Sequence, residues 1–418
     1  MAQIQPINPA DFVPVIDNSY FPLEPGTTYI TENPDGSAVG TFAVTRQTRV
    51  IDGVTCVVVS DVSTVDGELE EKTSDYFAQD KAGNVWYFGE DTATYENGHV
   101  VSTEGSWRAG VDGAAPGIIM EAAPKIGDSY DQENAPGVAE DHAQVVSNGK
   151  SVDVPYGHFD QALTTRETSG LEPTASELKS YVKGIGFVLA VDQVTGEVEQ
   201  LVKIKLDGTS KADPLTGKAG TDELHGHGGD DRLDGGKDHA VDTLYGGSGN
   251  DHIAVRDGDR AYGGLGNDVF TLFDAGFGKI AGGSQDGHDL AKTRGDVLRF
   301  DGHLDLTAHD VADRITGIET VSMKDGHGHD TLRLSAADVL DLGDGTFDPT
   351  SCGHDHHSEG DAVRIAGDCG DQLTLTGGKW HEIDAGNAPR GTDVYVSQSA
   401  GGHNSYVLVD EHVTVHTS

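Results

Sequence analysis

The sequence predicts an all-β chain: an N-terminal antiparallel barrel or sandwich, a central parallel β-roll and a β-rich C-terminal cap. Three observations predict it. Residues 1–206 hold strand-length runs rich in Val, Thr, Tyr and Phe, separated by glycine turns. Residues 207–301 are dominated by glycine and aspartate at a short period. Residues 302–418 return to alternating segments of strand length.

In the first region the runs fall at 40–50, 54–64, 74–77, 84–88 and 99–102, and again at 159–165, 179–183, 187–191 and 197–204. Asp35-Gly36, Asp52-Gly53, Asp66-Gly67, Ala82-Gly83 and Asn97-Gly98 punctuate them as turns. Between the two sets, residues 104–137 show little periodicity and are expected to form a long loop, functional or mobile. So many strands need covered edges, hence the barrel or sandwich. The last region has strand-like segments at 331–334, 362–365, 372–376, 393–396, 406–410 and 413–415.

The chain of 418 residues is long enough for two or three domains. Its formal charge of −42 makes it repel itself unless cations or the fold separate the carboxylates. The same charge argues against nucleic acid, whose phosphates need cationic partners, and against anionic membranes. The apolar runs are too short to span a membrane. Residues 1–17 lack the basic start and apolar centre of a cleaved secretion signal, so an export signal is expected elsewhere. Three cysteines make no disulfide framework: Cys56 lies in an apolar run and reads as a buried thiol, and spacing leaves open whether Cys352 and Cys369 pair.

Aligning the glycine turns of the central region reveals a nine-residue unit, Gly-Gly-x-Gly-x-Asp-x-(Leu/Ile/Phe)-x. Its best copies are Gly246-Gly247-Ser248-Gly249-Asn250-Asp251-His252-Ile253-Ala254 and Gly263-Gly264-Leu265-Gly266-Asn267-Asp268-Val269-Phe270-Thr271. Gly226-His227-Gly228-Gly229-Asp230-Asp231-Arg232-Leu233-Asp234 is close, and a weaker copy starts at Gly217 with Asp222 and Leu224. In these residues the segment 217–290 resembles the RTX, or haemolysin-type, calcium-binding repeat.

The resemblance implies calcium bound at Gly226, Gly228, Gly229 and Asp231, at Gly246, Gly247, Gly249 and Asp251, and at Gly263, Gly264, Gly266 and Asp268, with Asp222 and Asp242 on further turns. The donor chemistry agrees. Glycines let the backbone turn and bare its carbonyls, aspartate adds a carboxylate, and an all-oxygen set on a flexible turn suits Ca²⁺. The apolar residue after each aspartate (Leu224, Leu233, Leu244, Ile253, Phe270) is expected to point into the core. In the family, calcium sits between turns two repeats apart. The turns starting at Gly226, Gly246, Gly263 and Gly282 are separated by 20, 17 and 19 residues and so share one side. Two sites are expected there, and an irregular turn at 282–289 leaves room for a third. The opposite side departs from the pattern: Asp242 comes two residues late, and Asp257-Gly258-Asp259 lacks paired glycines.

Stacked aspartates repel without calcium, and a glycine-rich backbone has much entropy to lose. The segment is therefore expected to fold only when calcium arrives, outside the cell. In the family this accompanies export by type I secretion machinery and an uncleaved C-terminal signal. Residues 314–321 and 330–342 look like a module found near the C-termini of large bacterial RTX proteins and adhesins. That region is expected to cap the roll. Residues 16–26, 84–90 and 105–117 are similar to a bacterial domain of unknown function.

The common nucleophile, zinc-protease and phosphate-loop motifs are missing. Acidic residues gather in the N-terminal region: Glu70, Glu71, Asp75, Asp80, Glu90, Glu104, Asp112, Glu140 and Asp141, with His142, Trp86, Tyr87 and Trp107. Two converging carboxylates beside aromatics would make a secreted hydrolase, on polysaccharide for example; a face without buried titratable groups would suit a surface or matrix adhesion protein. In a chain this acidic, solvated surface is the plainer explanation. The loop Cys352-Gly353-His354-Asp355-His356-His357-Ser358-Glu359 offers imidazoles for a transition metal or is an exposed insertion. The expectation is an extracellular calcium-binding protein, with an N-terminal domain (1–206) of unknown activity, the roll (207–301) and the cap (302–418). Its oligomeric state is open.

Overall fold

The computed structural model describes residues 7–283, 290, 295–308, 311, 313–342, 345–349, 360–398 and 403–418. It divides into two compact units, one of residues 1–206 with 218–221 and one of residues 207–217 with 222–418.

The first unit is a nearly closed antiparallel barrel. Thr27–Glu32, Ala38–Ile51, Val54–Val65, Glu68–Asp80 and Val85–Glu96 form a meander. Its hairpins turn at Asp52-Gly53, Asp66-Gly67 and Asn97-Gly98, with positive φ at both residues of each pair. That is the turn whose twist matches antiparallel strands and which only Asn, Asp and Gly adopt cheaply. A second meander runs through Asp141–Val154, Gly157–Ser169, Glu177–Val182, Gly186–Asp192 and Val198–Asp207. Its last strand pairs with the first of the other meander, Ile204 opposite Tyr29.

The other seam lies in residues 104–137, where a loop was expected. Four short strands occupy this segment instead: Trp107–Arg108, Ala115–Met120, Ser129–Asp131 and Glu133–Asn134. They pair with the two meanders and with each other, so the open edges are covered by backbone rather than by period-two patterning, which strands this short cannot display.

The second unit is built from parallel strands. Asp222–Gly228, Thr243–Ser248, Arg260–Leu265, Lys279–Ala281 and Ile315–Thr316 stack in one sheet. Pro214–Thr216, Arg232–Asp234, His252–Val255, Val269–Leu272, Val297–Arg299 and Thr320–Ser322 stack in another. Consecutive repeats alternate between the sheets, which is the β-roll. Inward apolar residues in register from strand to strand build the core, and Val255 and Leu272 add to it. Leu224, Leu244, Ala261, Ile280 and Ile315 align in the first sheet, and Leu233, Ile253, Phe270, Leu298 and Val321 in the second; all are buried.

Beyond the repeats the second sheet continues into Gly360–Ala366 and Asn404–Asp410, then turns antiparallel at Thr392–Gln398 and His381–Ile383. Leu290, Phe347, Val394, Val396, Tyr406 and Leu408 form the core here. The helix Ala336–Leu342 is started reciprocally: the Ser335 N–H donates to Asp338 at 2.5 Å, and the Asp338 N–H donates to the Ser335 hydroxyl at 3.3 Å. Among the described residues no helix is long and apolar enough to cross a membrane.

Candidate functional site

The aspartates of the repeats form a ladder. The backbone N–H of Asp213 donates to Oδ1 of Asp231, that of Asp231 to Asp251, that of Asp251 to Asp268 and that of Asp268 to Asp296, at 2.7 to 2.8 Å. The Asp296 N–H then donates to Oε2 of Glu319 at 2.6 Å. Parallel stacking causes this, because each turn repeats the one below and offers its N–H at the same place. Asp231, Asp251, Asp268, Asp296 and Glu319 are all buried.

Each aspartate thus spends one oxygen. The other, Oδ2 of Asp231, Asp251, Asp268 and Asp296, is buried with no hydrogen-bond partner. An unmet buried polar atom costs about 1–3 kcal/mol, and more when charged. Burial, opposed by the backbone N–H and reinforced by neighbouring carboxylates, pushes Asp251 up to about 6, Asp268 to about 7 and Asp296 to about 8, and raises Asp231. The fold alone therefore leaves these carboxylates short of positive charge.

The glycines make the space beside them. A Cβ on Gly226, Gly246 or Gly263 would collide with Oδ2 of Asp231, Asp251 or Asp268. On Gly246 it would also lie 2.7 Å from the carbonyl oxygen of Gly263, and on Gly263 2.5 Å from that of Gly282. Each glycine is required by a cradle where a carboxylate oxygen and a main-chain carbonyl converge. Gly229, Gly247, Gly249, Gly264 and Gly266 have positive φ, as the turns demand, while Gly228 faces the Ser248 side chain. The donors are all oxygen and include charged groups without a counterion, so the residues fit Ca²⁺.

The opposite side carries a second ladder with a different ending. Asp222 donates its N–H to Asp242 at 2.9 Å, and Asp242 to Asp259 at 3.0 Å. All three are buried, and burial pushes Asp242 up to about 8. Here Oδ2 of Asp259 accepts from the Arg256 N–H at 2.8 Å, and none of the three appears among the orphaned oxygens. The late arrival of Asp242 does not remove it from the stack.

Sequence reasoning missed Asp296 and Glu319. They follow Asp268 by 28 and 51 residues, off the nine-residue period, and only the strand register brings them into line. It also missed Asp330, whose N–H donates to Oδ1 of Asp371 and whose own Oδ2 is orphaned. The abbreviated turn Gly326-His327-Gly328-His329-Asp330-Thr331-Leu332 was a signal that was present. Asp286, Asp289, Cys352 and the histidines of the 352–359 loop lie outside the described residues.

Of the acidic residues singled out in the first unit, Glu71, Asp75, Glu90 and Asp141 line a cavity of about 320 Å³ inside the barrel. Asp61, Glu133, Glu167 and Glu199 join them unforeseen. Glu70 lines a neighbouring depression. Asp80, Glu104, Asp112 and Glu140 line neither. Trp107 is buried edge-on to Tyr87, and Trp86 donates its indole N–H to Asp80 at 2.8 Å.

Among curated proteins none matches this chain. A solved structure from Parabacteroides distasonis ATCC 8503, of a chain designated a lipoprotein, is 13% identical over 45% of this chain and 98% of its own, with a TM-score of 0.26. So low a score carries no argument. A family model described as the RTX calcium-binding nonapeptide repeat (4 copies) matches residues 207–239 and 240–272. This span contains Asp231, Asp251 and Asp268 with their glycine turns. Residues 207–272 are RTX calcium-binding nonapeptide repeats, and Ca²⁺ is the ion such repeats bind.

Proposed function

We propose that this is an extracellular protein whose roll stays unfolded until calcium reaches it, after export by type I secretion machinery. One observation carries the reading: a column of buried carboxylates, each with one oxygen bound to the next rung and one oxygen unpartnered. Such a column opposes its own folding until a cation neutralises it, so binding energy becomes folding energy.

The ligands are the Asp231, Asp251 and Asp268 carboxylates with carbonyls of the turns holding Gly226, Gly228, Gly229, Gly246, Gly247, Gly249, Gly263, Gly264 and Gly266. Asp296 extends the column by one turn. Asp222 and Asp242 serve the opposite side, more weakly because Asp259 already has a donor. The roll starts at residue 207 and runs past the expected boundary at 301 to take in Ile315–Thr316 and Thr320–Ser322; beyond those strands the β-rich region 302–418 caps it and contains the export signal. Extracellular calcium modules bind at about 10⁻⁴–10⁻³ M, above the calcium level of a cytosol, and that gap makes the ion a marker of arrival.

Hydrogen exchange of the full chain, with chelator and then with calcium, tests this. Amides of residues 207–283 should exchange freely in chelator and become protected in millimolar calcium, while residues 27–206 stay protected throughout. Equal protection of 207–283 under both conditions would remove calcium as the folding trigger.

A further inference from the structure

The barrel cavity is the place where the first unit departs furthest from a structural core. Eight carboxylates and one cationic side chain, Lys179, line it among the described residues. Lys179 is already engaged, at 2.9 Å from Glu167 and 3.3 Å from Glu177. Burial works against ionised Glu167, yet Lys179 holds it below the usual carboxylate range. The remaining acids have no such partner lining the cavity.

The shortage is sharpest at Asp75 and Glu90. Both carboxylates approach the same donor, the Tyr87 hydroxyl, at 2.6 and 3.0 Å. One O–H has one proton to give, so when both carboxylates are ionised one is left without a donor; burial raises both carboxyls, so without a cation the pair holds a proton instead. A bulge builds this arrangement. Tyr87 and Glu90, three apart, would face opposite ways on a regular strand. The register shift opposite Asp75 and Phe77, with Gly89 at φ +121°, turns both inward.

The adjoining wall is aromatic. Phe77 stacks on Tyr87 with ring centres 4.7 Å apart, and Phe21 packs edge-on to Phe77 at 5.4 Å and to Phe42 at 6.3 Å. Phe21 and Phe42 are only half-buried. A lining of carboxylates beside aromatic rings suits a positively charged hydrogen-bond donor carrying an apolar body.

A bare metal ion fits poorly. Among the described residues the one group of three His, Cys, Asp or Glu side chains with ligand atoms within 4.8 Å of one another is Asp301, Asp325 and Asp330, which is not in the barrel. The cavity acids stand too far apart to close one inner shell. A neighbouring depression shares Asp61, Glu71 and Glu199 with the cavity and adds Asp35, Glu70, Glu177, Asp192 and Glu197, so the adjoining surface is acidic too and favours cations.

We propose that the barrel binds a small organic ammonium ion, its N–H donors directed at Asp75 and Glu90 and its apolar body against Phe21, Phe42 and Phe77. The site is independent of the calcium reading, since it lies wholly in the first unit.

The test is calorimetry on the full chain in calcium, with phenethylammonium, its neutral counterpart phenethyl alcohol and the neutral sugar cellobiose as probes. Phenethylammonium should bind with Kd below about 1 mM, and the alcohol and the sugar at least about tenfold more weakly. Asp75→Asn and Glu90→Gln should each weaken the ammonium by about tenfold or more while circular dichroism stays unchanged. Equal binding of the alcohol or cellobiose, no binding of the ammonium to the wild-type protein, or wild-type ammonium binding in both variants would each overturn the proposal.

Discussion

Oδ1 of Asp268 accepts the backbone N–H of Asp251 at 2.8 Å, while Oδ2 of the same carboxylate is buried without a partner. The first oxygen ties two turns of the roll together, and the second makes the tie costly without a cation. One side chain thus couples folding to ion binding.

Asp268→Asn should separate those two roles. The amide oxygen can still accept the Asp251 N–H, but the charge is gone. Calcium affinity should fall by about tenfold or more, equal to about 1.4 kcal/mol, while amide protection of residues 207–283 in chelator rises or stays level. Calorimetric titration and hydrogen exchange in chelator check both halves. An unchanged calcium isotherm would show that the carboxylate is not a ligand.

Phe270 is fully buried in the second sheet of the roll, aligned with Ile253 and Leu298. Phe270→Ala should cost about 3–5 kcal/mol in saturating calcium through lost burial and the cavity left behind. Leu265 is 61% exposed, and Leu265→Ala should stay within about 0.5 kcal/mol. Urea unfolding measures both, and similar losses at the two positions would argue against the inward stacking.

Legibility in the sequence followed regularity. Asp231, Asp251 and Asp268 could be placed on one side because the turns recur at close to two nonapeptides. Asp296 could not, since residues 283–295 interrupt the period, and only the pairing of Val269–Leu272 with Val297–Arg299 restores it. In the barrel, Asp-Gly and Asn-Gly pairs announced the hairpins. Which acids face inward was harder: Tyr87 and Glu90 share the cavity through a bulge that breaks period-two counting, and Glu133 sits on a two-residue strand too short to show any.

Burial pushes Asp61 up to about 6, Glu90 to about 7 and Glu133 to about 8. Raised carboxyls keep protons in the folded barrel that the unfolded chain releases above about pH 4–5, so their contribution is full below that pH and is lost as pH rises toward 8. Glu167, held low, opposes this only below the usual glutamate range. The barrel should therefore melt at a lower temperature at pH 8 than at pH 5, and Glu133→Gln should shrink the difference. Tryptophan fluorescence follows it, since Trp86 and Trp107 lie in this unit. A melting temperature that rises from pH 5 to pH 8 would contradict the sign.

Gly89 combines φ +121° with a position where a Cβ would collide with the Trp107 carbonyl oxygen. Gly89→Ala should destabilise the barrel by more than about 1 kcal/mol, and should also disturb Glu90, which the bulge aims inward. Chemical denaturation of the variant in calcium checks it, and wild-type stability would mean the strand relaxes without the bulge.

The most direct measurement is the number of calcium ions bound by the chelator-stripped full chain, counted by equilibrium titration at pH 7.5. Two or more ions, bound cooperatively at about 10⁻⁴–10⁻³ M, are expected from the column Asp231, Asp251, Asp268 and Asp296. A chain that binds no calcium in this range would reduce the column to an acidic scaffold and leave its orphaned oxygens without a cause.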